Sequence, residues 1–208
     1  MVHTIWLVRH GMRLNFENPD WEKTAERPYD SPLSATGHRQ AAETAFYLKN
    51  RAVRHVFASP FYRTLQTAHA IAEELELPLL VEHGFYEWLN PAWIPELPEI
   101  VTREEALAEF PRIDSAYRSY SGPGYPEEEE DVHVYRRVKP AIERIIEDYE
   151  GSIAIVGHGA SMHQTARALV QPLNGFNRKM CALNRLERQR DGWRLVYAST
   201  AHLSVSEM

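Results

Sequence analysis

Arg9, His10 and Arg13 stand within five residues of one another, directly after the apolar run Ile5-Trp6-Leu7-Val8. Two guanidinium groups crowded beside an imidazole are costly to hold unless something anionic sits among them. Guanidinium forks match the oxygens of a phosphoryl group bidentately. An imidazole with one nitrogen held by an acceptor and the other free is a competent nucleophile near neutral pH. The spacing therefore predicts His10 as a nucleophile toward phosphorus, with Arg9 and Arg13 holding the phosphoryl group. Gly11 is expected to let the backbone come close enough to supply the acceptor.

Further groups recur along the chain in comparable settings. Arg63 follows Ser59-Pro60, Glu87 lies between Tyr86 and Trp88, and His158 lies between Gly157 and Gly159. Phosphoryl transfer needs in-line positioning and charge stabilisation more than elaborate covalent machinery. Arg9, Arg63 and His158 would supply that charge. Glu87, on an aromatic loop, is expected to be partly desolvated, to stay protonated and to give its proton to a leaving alcohol. Glu82 and Glu96 are the alternative donors, and pairing with an acidic loop residue such as Glu17 is the alternative role for Arg13. Trp88 and Trp93 read more readily as buried packing than as leaving-group contacts.

The elements that must position these residues can be read from the pattern. An apolar run without alternation is a strand buried on both faces, as in a parallel sheet. Further strands are expected at 53–58, 78–82 and 152–157, and helices at 40–50, 59–76, 102–110 and 161–170. Ser59 and Pro60 suit a helix N-cap and first helical position, and Thr102 with Glu105 has capping-box spacing. The acidic run 127–131 suits the N-terminus of a helix reaching about Tyr149. Asp191-Gly192 is a hairpin signal that adds an antiparallel edge. Each strand–helix unit then delivers one charged residue to the same sheet edge, where open α/β sheets bind ligands. The expected fold is a three-layer α/β/α sandwich, with a mostly parallel central sheet and an antiparallel C-terminal edge. Residues 1–208 read as one domain, with a long loop at 14–34 and an inserted lid at 83–130.

Composition narrows the classes. The 208 residues carry a formal net charge of −6, which argues against a general nucleic-acid or anionic-membrane surface. The single cysteine excludes an internal disulfide and any cysteine-based metal cluster. No apolar run approaches the ~18 residues of a membrane span, and the start shows no signal-peptide pattern, so a cytoplasmic setting is expected. Two histidines and a carboxylate could hold a metal, but the surrounding arginines would repel a cation. No metal and no cofactor are expected, and a homodimer is compatible with the sequence.

Leu7-Val8-Arg9-His10-Gly11, Ser59-Pro60-x-x-Arg63-x-x-Gln66-Thr67-Ala68 and Val156-Gly157-His158-Gly159 resemble, in order, the three signatures of the histidine phosphatase superfamily. The branch is the one containing cofactor-dependent phosphoglycerate mutase and the fructose-2,6-bisphosphatase domain. The resemblance implies a phosphohistidine on His10, a phosphate pocket of Arg9, Arg63, His158 and Gly159, and Glu87 as proton donor. Arg13, Phe85-Tyr86-Glu87-Trp88 and Pro91-Ala92-Trp93-Ile94-Pro95 are similar to the phosphatase domain of the Sts (suppressor of T-cell receptor signalling) proteins, which implies Arg13 as an extra phosphate ligand. Met12, Leu14 and Asn15 depart from the mutase pattern after the nucleophile, and Glu87-Trp88-Leu89-Asn90 departs from it around the acid. The expectation is a metal-independent phosphoric monoester hydrolase of the histidine acid phosphatase type. It would act on a small-molecule or phosphopeptide phosphomonoester and release phosphate. A phosphoglycerate mutase-type enzyme and a weakly active phosphate-ester-binding module are the rivals.

Overall fold

The computed structural model describes residues 1–94, 96–122 and 131–205. The acidic run expected to open a helix therefore lies, at 127–130, outside the described residues, as does most of the Gly122-Pro123-Gly124 connection. Six strands form one sheet in the order β3-β2-β4-β1-β5-β6. They are β1 Val2–Arg9, β2 Val53–Ala58, β3 Leu79–Val81, β4 Gly151–Gly157, β5 Leu183–Gln189 and β6 Gly192–Ser199. The first four run parallel, and β5 and β6 are antiparallel. This is the mixed α/β sheet that the strand pattern and the Asp191-Gly192 hairpin predict.

Alternation along β1 builds both layers of core. Ile5 and Leu7 pack with Val138, Ile142 and Met162, from helices α5 (Asp131–Asp148) and α6 (Gly159–Leu169). Trp6 and Val8 pack with Leu48, Leu65 and Ile71, from helices α2 (Ala35–Leu48) and α3 (Tyr62–Glu74). Side chains of a strand point alternately to opposite faces, so an apolar run covered on both sides needs a helical layer on each. Each fully buried Ile or Leu of that run contributes roughly 1.5–3 kcal/mol.

Helix α2 starts five residues before the expected position, because Ser34 Oγ accepts the Gly37 N–H at 3.1 Å. The loop 14–34 contains a one-turn helix, α1 (Leu14–Glu17), and a 3-10 turn, Trp21–Lys23. In the stretch 83–122, Thr102 and Glu105 form the expected capping box on α4 (Arg103–Glu109). Val101, Ala106 and Phe110 pack into the α2–α3 side of the core.

The start of α3 differs from expectation. Phe61, not Ser59, is its N-cap, and Pro60 precedes the helix. Ser59 is drawn elsewhere: its N–H bonds Val156 O at 2.9 Å and its hydroxyl lies 2.8 Å from His158 Nε2. The first N–H of α3, from Tyr62, donates instead to Asp30 Oδ1 at 2.8 Å. Among the described residues, no helix is long and apolar enough to cross a membrane.

Candidate active site

The carboxyl ends of β1, β2 and β4 meet at one edge, and the ladder continues past them. His10 N–H donates to Gly157 O at 2.9 Å, and Glu82 N–H to Ala58 O at 2.8 Å. The turn after His10 is clamped from α3 and α2. Gly11 N–H donates to Thr67 Oγ1 at 3.1 Å and Met12 N–H to Gln40 Oε1 at 2.9 Å. A Cβ on Gly11 would lie 2.6 Å from Gly37 O, and one on Gly37 would lie 2.1 Å from Met12 O. The two glycines are thus needed for backbone to pass backbone.

His10 is buried, with Nδ1 2.8 Å from Gly11 O. A carbonyl only accepts, so Nδ1 carries the proton and Nε2 the lone pair. Burial, followed by the charges of Arg63, Arg9, His158 and Arg13, holds the imidazole well below its ordinary pKa. His10 is therefore neutral near pH 7. The acceptor expected near Gly11 is the Gly11 carbonyl itself.

Arg63, in the first turn of α3, is 1% exposed and lies at the centre of the charge network. Its Nη1 lies 3.6 Å from Asp30 Oδ1 and its Nη2 3.1 Å from Glu87 Oε2. The same Nη2 is 3.3 Å from His158 Nδ1, which is 3.2 Å from Glu87 Oε2. His158 is fully buried and caps α6 through its N–H to Ser161 Oγ at 3.0 Å. Burial chiefly pushes its pKa down to about 4 against the pull of Glu87.

Glu87 departs from expectation. Burial pushes its carboxyl up, yet His158, Arg63 and His10 together hold it well below the ordinary carboxylate range. The Arg63 guanidinium in direct contact is the decisive partner, since it is charged at every relevant pH. Glu87 is thus ionised in the anion-free site rather than protonated. Of the alternative donors, Glu82 is fully buried among donors from residues 84–121. Glu96 lines a separate groove with Glu26, Tyr29 and Glu99.

Arg9, Arg13, Arg63, Glu87 and Gly159 line one cavity of about 370 Å³. Arg9 Nη1 donates to Arg178 O at 2.8 Å, and its guanidinium lies against Gly159 at the N-terminus of α6. The Arg13 guanidinium stacks 3.9 Å over the Phe16 ring rather than pairing with Glu17. Burial and the neighbouring Arg63 push Arg13 down to about 10, with Glu87 opposing and Arg9 adding to the effect. Trp88 and Trp93 also line this cavity, and Trp93 is 65% exposed, so the latter is not buried packing.

The structure therefore brings together Arg9, His10, Arg13, Arg63, Glu87, His158 and Gly159, which the chain spreads over 150 positions. A ring nitrogen of His10, one of His158 and a Glu87 oxygen lie within 4.8 Å of one another. That set could chelate a cation, and the guanidiniums around it oppose one. Asp30 escaped the sequence reading. It is 4% exposed, bonds the N–H groups of Tyr62 and Val101, both at 2.8 Å, and faces Arg63. Arg137 of α5 was missed as well. It donates to the carbonyls of Gly84, Tyr86 and Glu87 at 2.7, 3.1 and 3.3 Å. Thr67 and Gln66 were visible inside a quoted motif, though their roles in holding residues 11 and 33 were not.

This chain is similar to the transcription factor tau 55 kDa subunit of Saccharomyces cerevisiae, with 34% identity over 196 residues. The match covers 88% of this chain and 44% of that protein, so the chain spans less than half of that relative's length. It is 27% identical to the uncharacterized phosphatase PhoE of Bacillus subtilis, over 96% of each chain. The crystal structure of the ecdysone phosphate phosphatase from Bombix mori in complex with tungstate has the same fold. Its TM-score is 0.79 at 21% identity, covering 94% of this chain and 92% of that one. The family described as histidine phosphatase superfamily (branch 1) matches residues 5–200. This chain belongs to the histidine phosphatase superfamily, branch 1.

Proposed function

We propose that this chain hydrolyses a phosphomonoester through a phosphohistidine on His10, with no metal ion in the reaction. The observation that carries the proposal is the Nδ1 contact of His10 with the Gly11 carbonyl, 2.8 Å, in a buried imidazole that feels the charges of Arg63, Arg9 and Arg13. It leaves a neutral imidazole with its lone pair on Nε2, beside groups suited to hold three phosphoryl oxygens. Arg9, Arg13, Arg63, His158 and the Gly159 end of α6 bind the phosphoryl group. Residues 1–208 act as one domain, and Trp88, Trp93 and Ile94 supply the wall against which the leaving group sits.

Nε2 attacks phosphorus in line with the ester oxygen, the P–O bond breaks, and the leaving oxygen takes a proton from Glu87. Water then attacks phosphorus and gives a proton to the Glu87 carboxylate. The P–N bond breaks and phosphate departs. Glu87 starts ionised because Arg63 faces it. The incoming phosphoryl charge competes for Arg63 and adds negative charge beside Glu87, which raises its pKa. The proton thus arrives with the monoanionic ester. Phosphomonoesters lose that proton near pH ~6, so kcat/KM falls as pH rises above this value.

The test is an acid- and alkali-quench experiment with an ester labelled on phosphorus. Labelled protein that is stable to alkali and labile to acid, and absent from His10→Ala, is expected. His10→Ala releasing phosphate at the wild-type rate overturns the proposal. Loss of activity in chelator overturns the metal-free part, and label moving to a second hydroxyl instead of water identifies a mutase. The likeness to a transcription factor subunit favours a second reading, a phosphate-ester-binding module with little turnover. Tight tungstate binding by calorimetry without measurable turnover would support that reading.

A further inference from the structure

The phosphoryl cup occupies only part of the cavity. The same cavity is also lined by Tyr29, Trp88 and Trp93, by Ile94, and by one more arginine, Arg178. The Trp88 and Trp93 rings meet edge to face, with centroids 5.0 Å apart and planes at 74°. Arg178 stands on the connection between α6 and β5. Its backbone is fixed from several directions. Its carbonyl accepts from Arg9 at 2.8 Å. Residue 177 before it is held through both N–H and C=O by the buried Asn184 side chain, each bond 2.8 Å. Cys181 after it donates to Arg9 O at 3.0 Å.

The cup arginines have partners already: Arg63 faces Asp30 and Glu87, and Arg13 lies on Phe16. The Arg178 guanidinium meets no carboxylate among the described residues. An exposed guanidinium set on a rigid backbone beside the phosphate cup is pre-organised for a second anion.

We propose that Arg178 recognises a second anionic group on the leaving-group side of the substrate, and that the body joining the two anions is flat and apolar, seated against Trp88 and Trp93. The preferred substrate class is then an aryl-type phosphomonoester that also carries a carboxylate or a second phosphate. This rests on the phosphatase reading above and extends it from the phosphoryl group to the leaving group.

The probes are phenyl phosphate and 4-carboxyphenyl phosphate, compared in the wild type, Arg178→Ala and Arg178→Lys. The wild type is expected to prefer the carboxylated ester. Loss of a bidentate guanidinium–carboxylate contact is expected to cut that preference about tenfold in Arg178→Ala, through KM rather than kcat. Arg178→Lys should keep part of it, and added salt should weaken it in the wild type. A preference unchanged by Arg178→Ala overturns the proposal, as does a loss equal on both esters, which would place Arg178 in the phosphate cup.

Calorimetry with phenylphosphonate and 4-carboxyphenylphosphonate needs no turnover. If neither ester is hydrolysed, the phosphatase reading falls. The ratio of the two phosphonate affinities in wild type and Arg178→Ala then decides the Arg178 proposal by the same criterion.

Discussion

Glu82 and Glu87 lie five residues apart after the same strand, β3, yet they occupy opposite kinds of environment. Glu82 is fully buried, and the donors that reach it from residues 84–121 are neutral. Its Oε1 accepts from Gly84 N–H at 2.8 Å and Ser119 Oγ at 2.7 Å, and its Oε2 from Tyr117 Oη at 2.8 Å and Tyr120 N–H at 2.9 Å. Burial and the adjacent Glu82 push the Tyr117 phenol up, so it remains a donor. Glu87, with its side chain 20% exposed, faces a guanidinium and an imidazole and opens onto the cavity. A carboxylate satisfied by fixed neutral donors fastens the chain and has nothing to exchange. One balanced against charged and titratable groups responds when another anion arrives, and that is what proton transfer requires.

The largest expected effect tests the responsive member. Glu87→Gln should lower kcat on alkyl phosphates by roughly 10²–10³-fold, within the range of general acid catalysis. Aryl phosphates with good leaving groups should lose much less, so the alkyl-to-aryl rate ratio should fall. Equal losses on both ester classes remove Glu87 as the donor. Glu82→Ala should act on stability instead. Stranding several buried donors costs roughly 3 kcal/mol or more, a fall in Tm of about 10 °C for a chain of this size. The alkyl-to-aryl rate ratio of the folded fraction should hold. If Glu82→Ala changes that ratio as Glu87→Gln does, the contrast between the two glutamates is wrong.

Acid should unsettle the cup through its histidines. The folded-state pKa of His158 is about 4 against an ordinary 6.5, and His10 is lowered in the same direction. The unfolded chain then binds more protons than the native one between these values, so stability falls as pH drops from 6.5 toward 4. The depressed Glu87 carboxyl also favours the native state, but its contribution is lost only at lower pH, as the carboxyl protonates through its folded value. A shift of this size in a fully buried imidazole is worth on the order of 3 kcal/mol across the window. Denaturant unfolding at several pH values should therefore show a slope between pH 6.5 and 4 that flattens in His158→Gln. An unaltered slope would mean that the acid response originates elsewhere.

Most of the cup was legible in the sequence, for a physical reason. Arg9, His10 and His158 each end an apolar strand, and Arg63 opens the helix after one, so polarity changes abruptly where the sheet edge must be. Six strands and the antiparallel edge followed from the same runs and from one hairpin signal. Asp30 was hidden because an aspartate among Pro, Ser and Tyr in residues 28–34 has the composition of any solvated loop. Only the folded chain reveals that it is buried against Arg63. The protonation state of Glu87 was misread because desolvation is visible in an aromatic neighbourhood, whereas a guanidinium arriving from residue 63 is not. The N-cap at Ser59 failed similarly, since its hydroxyl had a tertiary partner in His158.

Arg137 gives the finest test of the contrast, because it holds the stretch of chain between the two glutamates. Its guanidinium lies 3.5 Å from the Tyr86 ring centroid and donates to the Gly84, Tyr86 and Glu87 carbonyls. These contacts are to backbone carbonyls and a ring, so its expected action is to fix where the Glu87 carboxylate can stand. Arg137→Met keeps much of the aliphatic packing and removes the donors. It should lower kcat on alkyl phosphates by about tenfold, since a misplaced acid loses rate steeply with distance. Aryl phosphates should change by less than about twofold on the same reasoning. Arg137→Lys, which can reach one or two of the three carbonyls, should recover part of the loss. A mere structural weakening would instead lower Tm with both ester classes affected alike. In that case Arg137 would belong with Glu82 as a fastening of the chain, and Glu87 would be positioned by Arg63, His158 and the Trp88 N–H.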